Sequence, residues 1–260
     1  MVNTYIVTGS SSGLGSSVVK SLTESGAEVI GIDWKGQPDI TADLSDKSEV
    51  RRAMKTALSI CPNPAGVVSN AGLSPIHDDL REIIEVNWFA AKEVFELSLE
   101  SLSRHKYSAA VAVCSIGSAL GGDSILENYL HEEDREGAFD YLDSIHRNDP
   151  NSAGIVAYSS CKAALARFVR RNAQRWGGKG VRLNAVAPGK MNTAMLDGLL
   201  NDPVLSPGIT NLPSGVTETG QPEQVADVVE YLLSPKSSFV HGQVIYVDGG
   251  SEAIMRPDLV

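Results

Sequence analysis

Residues 4–15 read TYIVTGSSSGLG. The run 4–8 is almost wholly apolar or β-branched, as a strand covered on both faces requires. A turn rich in Gly and Ser follows, Thr8-Gly9-Ser10-Ser11-Ser12-Gly13-Leu14-Gly15, and it opens a stretch with helical spacing over 14–25. Strand, glycine turn and helix in that order begin an α/β unit, and the same alternation continues outward. Further strand-like runs lie at 28–33 (EVIGID), 65–69 (AGVVS), 109–115 (AAVAVCS), 180–186 (GVRLNAV) and 243–247 (QVIYV). Helical spacing separates them over 47–60, 80–104, 158–176 and 222–233. The pattern predicts an α/β fold, a doubly wound parallel sheet with helices on both faces. No repeat, low-complexity tract or linker divides the chain, so one domain is expected over 1–260.

Ligands of such sheets bind at the carboxyl ends of the strands. Gly9 permits the tight turn, Gly13 lets the backbone approach a pyrophosphate, and Gly15 allows close helix packing. Free N–H groups at the helix start then face the anion. The GxxxGxG spacing differs from the GxGxxG fingerprint, and on its own a Gly/Ser turn also reads as a plain loop. Asp33 adds weight because it ends the second strand, where a carboxylate accepts hydrogen bonds from a ribose diol. It would repel the extra phosphate of NADP, and Ser10, Ser11 and Ser12 offer that phosphate no cation, so NAD is the expected cofactor and NADP the weaker fit. Lys35 is the one dissenting cation. Asp43 and Leu44 follow a short apolar run and are placed beside an adenine, although a helix cap at Asp43 or Ser45 explains them too.

Composition removes other classes. A formal charge of −10 and a pI near 5.0 argue against nucleic acid, which needs clustered Lys and Arg. The start MVNTYIVTG carries no basic segment and only a short apolar run, so neither signal peptide nor membrane span is expected, and the chain is read as soluble and cytoplasmic. Cys61, Cys114 and Cys161 have no metal-ligand spacing, and His77, His105, His131, His146 and His241 are scattered, so no metal is expected.

The segment Ala157-Tyr158-Ser159-Ser160-Cys161-Lys162 places a phenol and an ammonium four apart, on one face of a helix. Alone, such a pair is also a solvated helix face; Ser115 alone is a strand-end turn residue, and Asn87 a satisfied helix amide. Cys114 and Cys161 adjoin this set, and packing explains them better than redox chemistry.

In joint order, Thr8 to Gly15, Asp33, Asp43-Leu44, Ser69-Asn70-Ala71-Gly72, Asn87, Ser115, Tyr158 with Lys162, Pro188-Gly189 and Val247-Asp248-Gly249-Gly250 resemble the short-chain dehydrogenase/reductase family, end to end. Ser69 departs from the Asn common there. The near-terminal GGSEAIMRP and the short stretch between Gly72 and Asn87 are similar to its bacterial 3α-hydroxysteroid dehydrogenase/carbonyl reductase branch. The resemblance implies a Rossmann-type sheet of seven strands and a catalytic tetrad at Asn87, Ser115, Tyr158 and Lys162. It also implies cofactor contacts from Gly9, Ser11, Ser12, Gly13, Leu14, Gly15, Asp33, Asp43, Leu44, Asn70, Ala71, Gly72, Tyr158, Lys162, Pro188, Gly189 and Thr193.

Tyr158 would be base in oxidation and acid in reduction, with Lys162 and the oxidised nicotinamide as favourable charges, Ser115 holding the substrate oxygen and Asn87 supporting a relay water. The expected activity is therefore interconversion of a secondary alcohol and a ketone, on a hydroxysteroid or other bulky alicyclic. The alternative is a dinucleotide-binding regulatory protein without turnover. Two segments fall outside the family pattern. Residues 119–152 form a helical insertion, read equally as a lid or as an extra layer shaping an interface, with Glu132, Glu133, Asp134 and Glu136 facing water. Residues 190–216 are a candidate substrate loop. A homodimer or homotetramer is expected, because the insertion obstructs the helix contact many family members use.

Overall fold

Strands β1 (Thr4–Thr8), β2 (Glu28–Asp33), β3 (Ile40–Thr41), β4 (Gly66–Ser69), β5 (Ala109–Val113), β6 (Arg182–Pro188) and β7 (Val244–Val247) form one sheet. In the computed structural model, which describes residues 2–216 and 219–259, every pairing is parallel and the order is β3-β2-β1-β4-β5-β6-β7. The bounds 1 and 260 expected for the domain lie outside the described residues. Strand order reverses between β1 and β4, where Thr8 pairs with Ser69, so the crevice at their carboxyl ends is the place for a ligand. Strands β5 and β6 are buried along their whole length; β5 is wholly apolar, as burial on both faces requires, and the two polar residues of β6 are bonded, Arg182 to the Leu232 carbonyl and Asn184 to the Val240 carbonyl.

Helices α1 (Gly13–Glu24), α2 (Lys47–Ile60), α3 (Leu80–Ile84), α4 (Ala91–Leu102), α5 (Gly117–Leu120), α6 (Ser124–Glu132) and α7 (Arg135–Asn148) precede the long α8 (Pro150–Arg171). After it come α9 (Ala173–Gly178), α10 (Ala194–Asn201), α11 (Ser206–Thr210), α12 (Pro222–Leu233) and α13 (Ser251–Met255). Two cores result. Val18 and Leu22 of α1 with Val229 and Leu232 of α12 cover one face of the sheet. Met54 of α2, Phe95 of α4 and Leu165 of α8 cover the other.

Several boundaries differ from the sequence reading. β3 has only two residues and offers no period to read. The helix expected over 80–104 is interrupted by a π-helical stretch, Glu85–Ala90, which carries Asn87; single π-turns of this sort are frequent at functional sites. The helix expected from Tyr158 begins at Pro150, where Asp149 accepts from the Asn151 N–H, and its far end is cut at Asn172 into α8 and α9. The cap of α2 is Asp46, which accepts from the Ser48 N–H, and not Asp43 or Ser45.

The insertion folds as α5, α6, α7 and the first residues of α8. Leu126, Leu130, Ala138, Phe139 and Leu142 are buried in the core of the α8 side, whereas Ile125 is exposed. Trp88 donates its indole N–H to the Leu130 carbonyl at 3.0 Å. Four ion pairs tie the layer to older elements: Glu127 with Arg167 of α8, Arg135 with Glu85, Glu133 with Lys92 of α4, and Asp143 with Arg81 of α3. The Arg135 guanidinium also lies 4.1 Å from the centroid of the Phe89 ring. α6 and α7 are thus a helical layer on the back of α8, and it is α5 that borders the sheet's carboxyl edge. Among the described residues, no helix is long and apolar enough to cross a membrane.

Candidate active site

The turn after β1 is locked from below. Asn70 donates its side-chain amide to the carbonyls of Thr8 (3.1 Å) and Gly9 (3.0 Å), and the Thr8 hydroxyl accepts from the N–H groups of Asn70 and Ala71. A side chain at Gly15 would put Cβ 1.9 Å from the Gly9 carbonyl oxygen, and Gly9 itself has φ +66; both positions need glycine. The space above Gly13 is open, since a Cβ there would meet only Thr193 Cγ2, at 3.7 Å. α1 starts at that point with no side chain capping it and no acidic residue in its first turn. Uncapped N–H groups beside open space suit an anion. Asp33, 5% exposed at the end of β2, accepts from the Ser11 N–H (2.9 Å) and from the Trp34 and Lys35 N–H groups. These features fit a dinucleotide, with phosphates at Gly13 and an adenosine ribose at Asp33. Leu44 is buried and Asp43 exposed just past β3; the Asp43 carboxylate accepts from the Ser45 N–H and hydroxyl.

The second half of the cleft gathers the four expected side chains. Tyr158 and Lys162 project from one face of α8, the ammonium 5.7 Å from the phenol ring centroid. Lys162 is 4% exposed and donates to the Val113 carbonyl at 2.9 Å. Ser115, two residues past β5, accepts from the Gly117 N–H at 3.1 Å. A Cβ on Gly117 would sit 3.6 Å from both the Ser115 hydroxyl oxygen and Tyr158 Cε1, so this one glycine separates the two. Asn87, fully buried, uses both ends of its amide on Leu73, accepting from its N–H (2.7 Å) and donating to its carbonyl (2.9 Å). Gly72 fits between them: its Cβ would lie 3.0 Å from Asn87 Oδ1 and 3.3 Å from Lys162 Nζ.

Pro188 ends β6 and its carbonyl accepts from the Ile116 N–H at 2.8 Å, so the loop 188–193 leaves the sheet beside Ser115. Thr193 caps α10 by accepting from the Leu196 N–H. Across the cleft, Ile76 of the loop after β4 reaches α10, its Cδ1 3.0 Å from where a Gly198 Cβ would lie. Burial pushes the thiols of Cys114 and Cys161 up to about 12, against the pull of the Lys162 charge. Neither forms a thiolate near neutrality, which is the packing role expected of them.

Leu73, Val113 and Gly117 took part unannounced. The first two act through backbone groups, which no side-chain pattern marks. Gly117 had a faint signal in its position two residues after Ser115.

A family model described as enoyl-(acyl carrier protein) reductase matches residues 9–252. A curated relative, the 3-alpha-hydroxysteroid dehydrogenase/carbonyl reductase of Comamonas testosteroni, is 34% identical over 254 residues, 97% of each chain. The cis-4-hydroxycyclohexanecarboxylate dehydrogenase of Sinomonas cyclohexanicum is 28% identical over 272 aligned positions covering 96% of each. A solved structure, the 3-alpha-hydroxysteroid dehydrogenase from Pseudomonas sp. B-0831 complexed with NADH, superposes with a TM-score of 0.93 at 32% identity, over 99% of this chain and 100% of that one.

Proposed function

Because the chain belongs to the short-chain dehydrogenase/reductase family and is an oxidoreductase, we propose that it interconverts a secondary alcohol on a saturated ring and the matching ketone. The observation that carries this reading is the placement of Ser115 and Tyr158 beside the same glycine, Gly117, with the buried Lys162 ammonium 5.7 Å from the phenol ring centroid. Two relatives named above act on rings that bear a secondary alcohol, which supports the alicyclic substrate.

A nicotinamide dinucleotide, when bound, would supply the hydride acceptor or donor. Ser115 donates a hydrogen bond to the substrate oxygen and aims it at Tyr158. The phenol oxygen takes the hydroxyl proton in oxidation and returns it in reduction. Lys162 stabilises the charge that develops on that oxygen. One of its three N–H donors is held by Val113, which leaves two for the cofactor ribose or a relay water. Asn87 acts as a positioning residue: by fixing both polar groups of Leu73 it holds Gly72 and its neighbours against Lys162. Asp33 favours the free ribose diol of NAD over a phosphorylated one, and its carboxylate is presented by three backbone N–H groups. The protein is a cytoplasmic homo-oligomer in this reading, assembled through a surface other than the insertion-covered back of α8.

Following nicotinamide absorbance with cyclic secondary alcohols and ketones tests the reading. Turnover with NAD well above that with NADP is expected, and the preference should fall in Asp33→Ala. Tight NADH binding with no turnover across the panel would instead favour the regulatory alternative.

A further inference from the structure

We propose that Ile76 and Gly198 form the crown of an arch over Ser115 that selects a single compact ring, so that fused polycyclic alcohols are turned over less well. This rests on the alcohol dehydrogenase reading given above and adds the substrate's size to it.

The arch follows from strand order. β4, β5 and β6 run side by side and parallel, so the segments that leave β4 and β6 emerge on either side of Ser115, two residues past β5. Neighbouring strands lie about 4.8 Å apart, which sets these two feet about 10 Å apart across β5. The segments nevertheless touch, because Ile76 Cδ1 lies 3.0 Å from where a Gly198 Cβ would be. Contact between segments from opposite sides of β5 brings them together over its carboxyl end.

The foot after β4 is held firmly. Asn87 engages both backbone polar groups of Leu73. The His77 N–H donates to the Ser74 carbonyl at 3.1 Å, closing a turn that contains Ile76. The Pro75 carbonyl oxygen packs on α8, 2.0 Å from where a Cβ on Gly154 would lie. Gly154 is one turn before Tyr158, so this foot stands on the helix that carries the phenol. The foot after β6 is tied at its base, where the Pro188 carbonyl accepts from the Ile116 N–H at 2.8 Å and the Asn192 N–H donates to the Gly220 carbonyl at 2.9 Å. From there the chain continues into α10. Gly198 lies inside that helix, a position glycine fills worse than any residue but proline. Its bare Cα is what admits the tip of Ile76.

Ile76 and Met195 of α10 stay partly exposed, which leaves apolar surface at this end of the cleft to meet a hydrocarbon ring. A ring whose oxygen sits between Ser115 and Tyr158 lies beneath the crown. A fused polycycle in that place must push Ile76 away from Gly198. Misfit of this kind in an apolar pocket changes kcat/KM by about ten- to a hundredfold.

The test measures kcat/KM with NAD for cyclohexanol, 2-decalol and androsterone, on the full chain as wild type, Ile76→Ala and the double variant Ile76→Ala/Gly198→Leu. In wild type the value should fall from one ring to four, although added apolar area alone would raise it. Ile76→Ala opens the crown and should raise the androsterone-to-cyclohexanol ratio about tenfold, mainly through the KM of the steroid. Adding Gly198→Leu returns an apolar side chain from the opposite foot and should bring the ratio back toward the wild-type value, which a merely loosened fold would not do. A wild type that favours the steroid, an equal change on all three alcohols in Ile76→Ala, or no return in the double variant overturns the arch while leaving the alcohol dehydrogenase reading standing. If wild type turns over none of the three, both fall together.

Discussion

Helix α8 is held in two different ways on its two faces. The face toward the sheet's carboxyl edge carries Tyr158 and Lys162, and its partners are mostly backbone: the Val113 carbonyl and the close-packed Gly72 and Gly117. The opposite face is held mostly by side-chain partners. Ser160 accepts from the Asp123 N–H, Arg167 pairs with Glu127, and the Phe168 ring lies edge-on to Trp88 and stacked on Phe95. The proposed site therefore depends on a few closely packed positions, while the back of the helix carries a whole added layer. Helices α6 and α7 of the insertion pack on the face of α8 away from Tyr158 and Lys162, which leaves the proposed site clear of them.

Substitutions on the two faces should separate rate from stability. Tyr158→Phe on the inner face should lower kcat about a thousandfold, with NADH affinity and melting temperature near those of the wild type. Steady-state rates and a fluorescence titration check this, and a variant that loses stability but keeps its rate would erase the division. Leu130→Ala on the outer face should do the reverse. A fully buried leucine replaced by alanine costs about 2–5 kcal/mol, read from urea unfolding, and kcat/KM measured under native conditions should hold.

The smallest effect should come from His131, also on the outer side, whose ring stands edge-on to Trp88 at 5.4 Å. Its Nε2 is buried without a partner, and burial, reinforced by Arg171 and Lys92, holds its pKa down at about 4. The unfolded chain takes up that proton near the usual value of about 6.5, so stability should be present above that pH and fall as pH drops toward 4. The ring is only partly shielded, so screening reduces the effect to about 1 kcal/mol. Unfolding of wild type and His131→Phe at pH 7.5 and pH 5 should show the smaller loss in the variant; equal losses would remove His131 from the account.

Much of this plan was legible from residue pattern. α2 and α12 run over the residues that spacing marked out, 47–60 and 222–233, because a capping residue or a proline opens each. The same signal stands at Asp149-Pro150, but the apolar positions around it read as part of a separate insertion, so the true start of α8 was hidden. β3 was too short to show a period. In the proposed site, Asp33, Ser115, Tyr158 and Lys162 stand out because they are polar side chains at strand ends or at helical spacing. Leu73 and Val113 do not, since a carbonyl looks alike under every side chain. The proposed substrate end was least legible of all, because Ile76 of a loop meets Gly198 of α10 only through tertiary packing that no local spacing announces.

The Asn70 amide that bridges Thr8 and Gly9 is part of the folded protein irrespective of any ligand. A glycine turn tied down by its own hydrogen bonds should leave little ordering entropy to be lost when a dinucleotide arrives. Capture at this end should resemble docking onto a rigid receptor, with an association rate that viscosity governs and loop motion does not.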